Sequence, residues 1–246
     1  MYYDNRQELR DLNHAASNES PTTNNSSRRS FMTSVAGIGT AVWAGFGLST
    51  HAEAALTPEN NQVANLAQQN FVFGPGNHHY KSVFESIRKH ENAHVDFLLA
   101  ALGKDARPKP TFKGLAQPNL KKFAELAQAF ENTGSGAYLN AAPAINDPVY
   151  LAAAGSIALV EARHSGFINV ALKQPITQLN ANFEQPLTAA AVGAAVAPFI
   201  ASLNGGPPVT YSDARSDAND IAILNFALAL EYLEADFYNI NVPKFF

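Results

Sequence analysis

The chain of 246 residues contains no cysteine, which excludes disulfides, thiolate catalysis, iron–sulfur clusters and cysteine-based zinc sites. Charged side chains are scarce: they make up 15% of the residues, against 46% for hydrophobic ones, and the formal net charge is −4. This apolar fraction excludes a disordered protein. Because the chain also lacks a long basic run that could contact phosphates, we expect no nucleic-acid partner. Any bound metal must be held by histidine and carboxylate side chains.

The beginning of the chain has the composition of an export signal rather than of a folded domain. Residues 1–26 are polar and show no apolar periodicity. Arg28 and Arg29 then precede an apolar stretch over residues 32–49, which is followed by small residues that fit a signal-peptidase site near Ala54. The alternative is a membrane anchor, but glycine, serine and threonine interrupt the apolar stretch and make it a poor one.

The paired arginines resemble a bacterial twin-arginine signal. This resemblance implies recognition by the twin-arginine export machinery and a periplasmic, or otherwise extracytoplasmic, mature protein. The same route exports proteins that are already folded and often carry a cofactor. We therefore predict three parts: an export signal over residues 1–54, an extended segment over 55–79, and a folded domain over 80–240.

The folded domain is predicted to be all-α. Apolar residues recur at helical spacing in four long segments, over residues 80–102, 118–142, 147–172 and 216–238. The connection 173–215 contains an alanine-rich stretch that predicts a short helix near 187–202. No strand signal has comparable strength. Four amphipathic helices of similar length favour an antiparallel four-helix bundle.

Two of the predicted helices contain the pattern Glu-x-x-His, with Glu91 and His94 in the first and Glu161 and His164 in the third. Residues three apart share one helix face, so each pair can converge on one ion. In both helices this face is the apolar one. A charged side chain in the core is costly unless it is paired or bound to metal, which makes these residues candidate metal ligands.

The other two long helices each place a glutamate seven residues before a tyrosine: Glu131 before Tyr138, and Glu231 before Tyr238. Seven residues are nearly two helical turns, so each tyrosine lies on the same face as its glutamate. Together the four helices direct four carboxylates and two imidazoles inward. The tyrosines are candidate hydrogen-bond donors to ligands; the alternative is that they are buried aromatic residues with satisfied hydroxyls.

This set of residues resembles the ferritin-like di-iron or di-manganese carboxylate bundles, in which two helices supply Glu and two supply Glu-x-x-His. More narrowly, the chain is similar to the bacterial ferritin-like and plant desiccation-related group. The matching stretches are His90–Leu98 (HENAHVDFL), Gly136–Pro143 (GAYLNAAP), Val160–Gly166 (VEARHSG) and Leu224–Tyr238 (LNFALALEYLEADFY). In that group the Leu-Glu-Tyr-Leu-Glu helix comes first, whereas here it comes last. The resemblance therefore implies a circularly permuted helix order.

Carboxylate and neutral imidazole ligands together suit Fe, Mn or Zn, so we expect two metal ions, with Fe or Mn favoured and Zn as the alternative. The expected ligands are Glu91, His94, Glu131, Glu161, His164 and Glu231. By the resemblance, Glu91 and Glu161 bridge the two ions. Glu234, one turn beyond Glu231, is an additional candidate that could replace or supplement Glu231 as a ligand. His78, His79 and His90 have no matching partners, and we expect them at the surface.

The first functional hypothesis is an oxidoreductase of the ferroxidase or catalase type, in which the dinuclear centre reacts with O₂, peroxide or Fe²⁺. The second is a non-enzymatic stress or desiccation-related protein that keeps the bundle for structural or binding purposes. A third, weaker hypothesis is that the apolar segment 187–202 mediates homo-oligomer formation. Nothing in the sequence specifies an iron-storage cage.

Overall fold

A computed structural model describes residues 78–246. The predicted export signal and nearly all of the predicted 55–79 segment lie outside the described residues. The described part is all-α, as the periodicity predicts, with a single small ladder of two short strands. No helix in this part is long and apolar enough to span a membrane.

Five α-helices lie within the described residues. They are α1 (His78–Leu102), α2 (Leu120–Ala141), α3 (Pro148–Ala171), α4 (Ala189–Val196) and α5 (Asp217–Phe245). The four long helices match the predicted ones to within a few residues, except that α5 continues to Phe245 instead of ending near residue 238. The short helix α4 is only eight residues long, since Pro198 follows in a 3₁₀ turn.

Local sequence signals set most of the helix ends. Asn119, Asp147 and Ser216 precede α2, α3 and α5, and the side chain of each accepts a hydrogen bond from a backbone N–H in the first turn. Pro148 occupies the first position of α3, where its missing N–H costs nothing. Gly103 follows α1 with φ of +56°, a left-handed conformation that favours glycine and ends a helix.

The long helices form two antiparallel pairs, α1 with α5 and α2 with α3. Lys81 Nζ near the start of α1 lies 2.6 Å from the carbonyl of Phe246, and Asn92 and Asn239 exchange side-chain hydrogen bonds at mid-height. The beginning of α1 and the end of α5 are therefore at the same end of the bundle. The α2–α3 pair is joined by a short turn at residues 142–147.

Two long connections return the chain along the bundle, one between α1 and α2 and one between α3 and α5. They meet in an antiparallel ladder of β1 (Thr111–Phe112) and β2 (Ile200–Ser202). The sequence analysis did not predict this ladder, because strands of two and three residues cannot show an alternating pattern. It ties the two connections to each other.

The first connection is also fastened to α5 by two buried asparagines. Asn225 accepts a hydrogen bond from a backbone N–H (2.6 Å) and donates to a carbonyl (3.0 Å) within residues 105–107. Asn241 repeats this pattern with residues 115–117, at 2.8 and 2.9 Å. We call these two side chains the asparagine clamps. They satisfy backbone groups of a segment that covers α5 and has little regular structure of its own.

Two apolar clusters fill the bundle, one toward each end. The aromatic cluster includes Phe84, Phe123, Phe130 and Phe237. The aliphatic cluster includes Leu98, Leu102, Ile145, Ile157, Leu224 and Leu228. Polar and charged side chains of four helices meet in the space between them.

Candidate metal centre

The six residues predicted as ligands meet at mid-height of the bundle, pointing inward. They form two groups whose ligand atoms all lie within 4.8 Å of one another. The first group is Glu91, His94, Glu161 and Glu231, and the second is Glu91, Glu131, Glu161 and His164. Glu91 and Glu161 belong to both groups, which is the arrangement of two adjacent ion positions with two shared carboxylates.

In the first group, His94 Nδ1 faces three carboxylates at once. It lies 3.3 Å from Glu91 Oε2, 3.3 Å from Glu161 Oε1 and 3.2 Å from Glu231 Oε2. One ring N–H cannot be directed at three acceptors. Ligand atoms that surround an ion at 2.0–2.2 Å are themselves roughly 3.0–3.5 Å apart, so these separations are those expected around a cation.

In the second group, too, one histidine nitrogen lies close to more than one carboxylate. His164 Nδ1 lies 3.0 Å from Glu91 Oε1 and 3.1 Å from Glu131 Oε2. Each Glu-x-x-His histidine therefore contacts the glutamate of the other Glu-x-x-His helix, which places the two pairs across the centre from each other.

The central oxygens of the cluster lack hydrogen-bond donors. Glu91 Oε1 and both carboxylate oxygens of Glu161 are fully buried and accept no hydrogen bond; the imidazoles that approach Glu91 Oε1 and Glu161 Oε1 are not aligned for one. A buried carboxylate oxygen without a donor is costly. Metal ions would satisfy these atoms, so the residues present fit a pair of metal ions.

The two tyrosines bond across the centre rather than along their own helices. Tyr138 on α2 donates to Glu231 on α5 at 2.5 Å, and Tyr238 on α5 donates to Glu131 on α2. This reciprocity follows from the sequence spacing, because in antiparallel helices a residue seven positions after one glutamate lies level with the other. Each tyrosine thus fixes one oxygen of a glutamate that has its second oxygen turned to the centre.

The metal-free cluster distributes its charge unequally among the glutamates. Burial would raise the pKa of Glu91, but the adjacent imidazoles of His164 and His94 lower it to about 2. Burial raises the pKa of Glu161 well above its ordinary value, and the charge of Glu91 raises it further. Burial also raises the pKa of Glu231 to about 7, against the opposing hydrogen bond with His94. Of these glutamates, Glu91 thus favours the ionised form, whereas burial disfavours ionisation of Glu161 and Glu231.

The same carboxylates also shift the pKa values of the histidines and tyrosines. Burial would lower the pKa of His164, but Glu131 and Glu91 raise it to about 11. The pKa of His94 is raised well above its usual range by its carboxylate neighbours, although burial opposes this. Burial and the nearby glutamates raise the pKa of Tyr138 and Tyr238 far above 10, so both hydroxyls remain donors.

Glu234 is a fifth buried glutamate beside the centre. It belongs to neither ligand group, and burial together with the charge of Glu231 raises its pKa well above the usual value. Four ionised carboxylates would neutralise two divalent ions without a fifth. Glu234 therefore lies beside the two groups rather than within them.

Gly134 in α2 makes room for these carboxylates, which the sequence analysis did not anticipate. A Cβ atom at this position would lie 2.9 Å from Glu161 Oε2 and 3.5 Å from Glu234 Oε1. A glycine inside a helix costs about 1 kcal/mol relative to alanine, so its presence at mid-helix was an available signal.

His90 was expected at the surface without a partner. It is exposed, but its Nδ1 lies 2.9 Å from His164 Nε2. The sequence could not show this contact, because the two residues are 74 positions apart. His78 and His79 begin α1, and their side chains are not among those that the structure describes.

Access to the centre is restricted. The side chains of Glu91 and Glu161 are 0% exposed and that of Glu231 is 1% exposed, whereas that of His94 is 11% exposed. The carboxylates are therefore shielded from solvent, and His94 is the most exposed side chain of the first group.

A family model described as the ferritin-like domain matches residues 52–174, which is half of the chain. The matched range contains α1, α2 and α3 and ends before α5. Comparison of the chain with curated proteins and with solved structures gave no match.

Proposed function

Because the chain belongs to the ferritin-like domain family, we propose that it binds two ions of iron or manganese and reacts with O₂, peroxide or Fe²⁺. The observation that carries this proposal is the sharing of Glu91 and Glu161 by two ligand groups. A single-ion site built from the first group would need neither His164 nor Glu131. Carboxylate and imidazole ligands favour iron, manganese or zinc over magnesium and calcium.

When bound, two such ions supply paired one-electron steps to a small oxidant. The protein's own residues hold and shape this centre. Glu91 and Glu161 offer their donor-free oxygens to it. Tyr138 and Tyr238 keep Glu231 and Glu131 in place by donating to the oxygens that face away. The apolar clusters above and below limit water, which favours reaction with a small molecule over a large substrate.

The test compares the wild-type chain with Glu161→Gln. Metal-free protein is loaded with Fe²⁺ without oxygen, or with Mn²⁺, and bound metal is measured after gel filtration. We expect two equivalents for the wild type and one or none for Glu161→Gln, together with loss of Fe²⁺ oxidation and peroxide disproportionation. Metal should raise the melting temperature of the wild type by mass action, and that increase should be smaller or absent in Glu161→Gln.

The metal-free proteins should behave differently. The oxygens of Glu161 accept no hydrogen bond and burial raises its pKa well above the usual value, so its replacement by the neutral Gln should change metal-free stability little. Glu125→Gln is the matched control, since Glu125 lies on α2 and pairs with Lys121 and Lys122 at the surface. Equal destabilisation of both loaded and metal-free Glu161→Gln would contradict a ligand role.

A second candidate function is the non-enzymatic one. The observation in its favour is that the Tyr138–Glu231 and Tyr238–Glu131 hydrogen bonds join α2 and α5 directly. A wild-type protein that is fully folded, binds zinc or no metal, and lacks both oxidation activities would establish this alternative.

We also propose that the chain is exported folded through the twin-arginine route, which would allow metal to be loaded before export. A reporter fused after residue 58 should reach the periplasm, and replacing both Arg28 and Arg29 by lysine should stop it. Export that ignores this change would indicate the general secretory route or an anchor.

A further inference from the structure

His90 and His164 form a hydrogen bond between two imidazole rings. Their planes differ by 6°, the ring centroids are 5.2 Å apart, and His90 Nδ1 lies 2.9 Å from His164 Nε2. Because the nitrogens are much closer than the centroids, the rings meet edge to edge in a common plane. This is a directed hydrogen bond rather than face-to-face stacking.

The direction of the bond follows from the other side of the His164 ring. His164 Nδ1 faces Glu91 and Glu131, and an imidazole nitrogen that binds a metal carries no proton. The proton of His164 then lies on Nε2, which donates to His90 Nδ1. His90 in turn keeps its own proton on Nε2. One exposed side chain thereby fixes both the tautomer and the ring orientation of a buried ligand.

The other ligand histidine has no such support. His94 Nδ1 faces the carboxylates of the first group, but its Nε2 has no hydrogen-bond partner among the described residues. The sequence explains the difference: His90 directly precedes Glu91, whereas Val160 occupies the same place before Glu161. Valine offers no acceptor, so the two halves of the centre differ in this one position.

We propose that His90 is a positioning residue for His164 and makes the two metal positions unequal, with tighter binding in the group that contains Glu131. This inference rests on the two-metal function proposed above. When the outer N–H of a metal-bound histidine donates a hydrogen bond, the histidine becomes a more basic ligand and its ring is held in place. Loss of such a bond lowers metal affinity about 10- to 100-fold.

The test uses Co²⁺, whose visible absorption reports the geometry of each position, in competition with a chelator. Metal-free full-length wild type should bind two Co²⁺ in two resolved steps. His90→Phe should weaken one step about 10- to 100-fold, change the absorption bands of that ion, and leave the other step within about twofold. His90→Asn should restore both the affinity and the bands, because its Oδ1 can accept the same bond.

Two further variants assign the weakened step. In Glu231→Gln the first group loses a ligand, so the ion that remains is held by His164, and adding His90→Phe should weaken it. In Glu131→Gln the remaining ion is held by His94, and the same addition should leave it unchanged. Val160→Ala is the matched control on α3 and should alter neither step.

The outcomes distinguish the role of His90 from the two-metal function on which it rests. A wild type that binds no Co²⁺, iron or manganese overturns both. A wild type that binds two ions, with His90→Phe giving the same affinities and bands, overturns only the role of His90. If circular dichroism shows His90→Phe and His90→Asn to be equally folded and both lose the same step, packing rather than the hydrogen bond is responsible, and the inference is wrong.

Discussion

A glycine at the centre of a helix usually lowers the stability of that helix, but Gly134 leaves space for a neighbouring carboxylate. The carboxylate of Glu161 lies where the side chain of any other residue would begin, since an added Cβ would be 2.9 Å from Glu161 Oε2. The glycine lowers the stability of α2 by about 1 kcal/mol relative to alanine, and in return the Glu161 carboxylate can lie close to the helix backbone.

Replacing Gly134 by alanine should therefore separate stability from metal binding. We expect unchanged helix content and a metal affinity lowered about tenfold or more, because the Glu161 carboxylate must move by several tenths of an ångström. Chelator competition measures the affinity and circular dichroism the helix content. Gly155→Ala on α3 is the control: an added Cβ meets nothing within 4 Å there, so it should gain about 0.5–1 kcal/mol and keep its metal affinity.

The sequence predicts those site residues that lie close together in the chain or recur at helical spacing. The two Glu-x-x-His pairs and the two Glu…Tyr spacings fall on inward faces because helical periodicity fixes them. What the sequence could not show depends on contacts between distant residues. His90 meets His164 across the bundle, and each tyrosine bonds the glutamate of the other helix rather than its own.

At the scale of the elements, α5 depends on the connection that covers it. Asn241 and Asn225 are fully buried and satisfy backbone groups of that connection. Asn241→Ala should lower the free energy of unfolding by about 1–3 kcal/mol, since it leaves the N–H of Gln117 without its acceptor and removes one of the two hydrogen bonds that the Leu115 carbonyl accepts. Urea denaturation of the metal-free protein measures this.

Asn239→Ala is the control for the clamp, because Asn239 lies two residues away on α5 and its exposed side chain bonds only Asn92. It should cost less than about 0.5 kcal/mol. Similar losses in the two variants would mean that the connection contributes little to the stability of α5.

We further propose that the helix order is a circular permutation of the one in the group that the chain resembles. Two observations support this: α5 packs against α1 as a hairpin partner would, and the family match ends before α5. A chain in which residues 217–246 are moved in front of residue 78 and joined by a short linker should fold and bind the same metal. Failure to fold, with the linker length varied, would count against the permutation.

The elements themselves were largely predictable. Long helices with strong periodicity and clear caps were predicted to within a few residues. The end of α5 was missed: the helix was predicted to end near residue 238 but continues to Phe245, and it accommodates Pro243 in its last turn. The ladder of β1 and β2 was missed because it exists only where two long connections cross, and no local pattern marks that place.

For the whole molecule, the titration of the centre gives stability and metal binding opposite responses to pH. The folded-state pKa of Glu231 is about 7, above its unfolded value, so its contribution is present at acidic pH and is lost as pH rises toward 7. The folded-state pKa of His164 is about 11, so the stability that its protonation contributes is likewise lost as the pH rises above 6.5. Metal binding instead requires these groups without protons and strengthens as pH rises.

We therefore expect the melting temperature of the metal-free protein to fall between pH 5 and pH 8, and that of the metal-loaded protein to rise over the same range. Differential scanning calorimetry with and without a chelator measures both. Metal binding at pH 7 should also release protons, which a pH indicator in weak buffer detects. Parallel trends for the two forms would mean that the buried groups do not compete with metal.

The distribution of ligands among the helices also has a consequence during synthesis. The group of Glu91, Glu131, Glu161 and His164 lies wholly within α1, α2 and α3, whereas the other group waits for Glu231. After His164 the ribosome adds 67 residues to reach Glu231. At about 5–20 residues per second this takes roughly 3–13 s, so all four side chains of one group are synthesised seconds before the last side chain of the other group, Glu231.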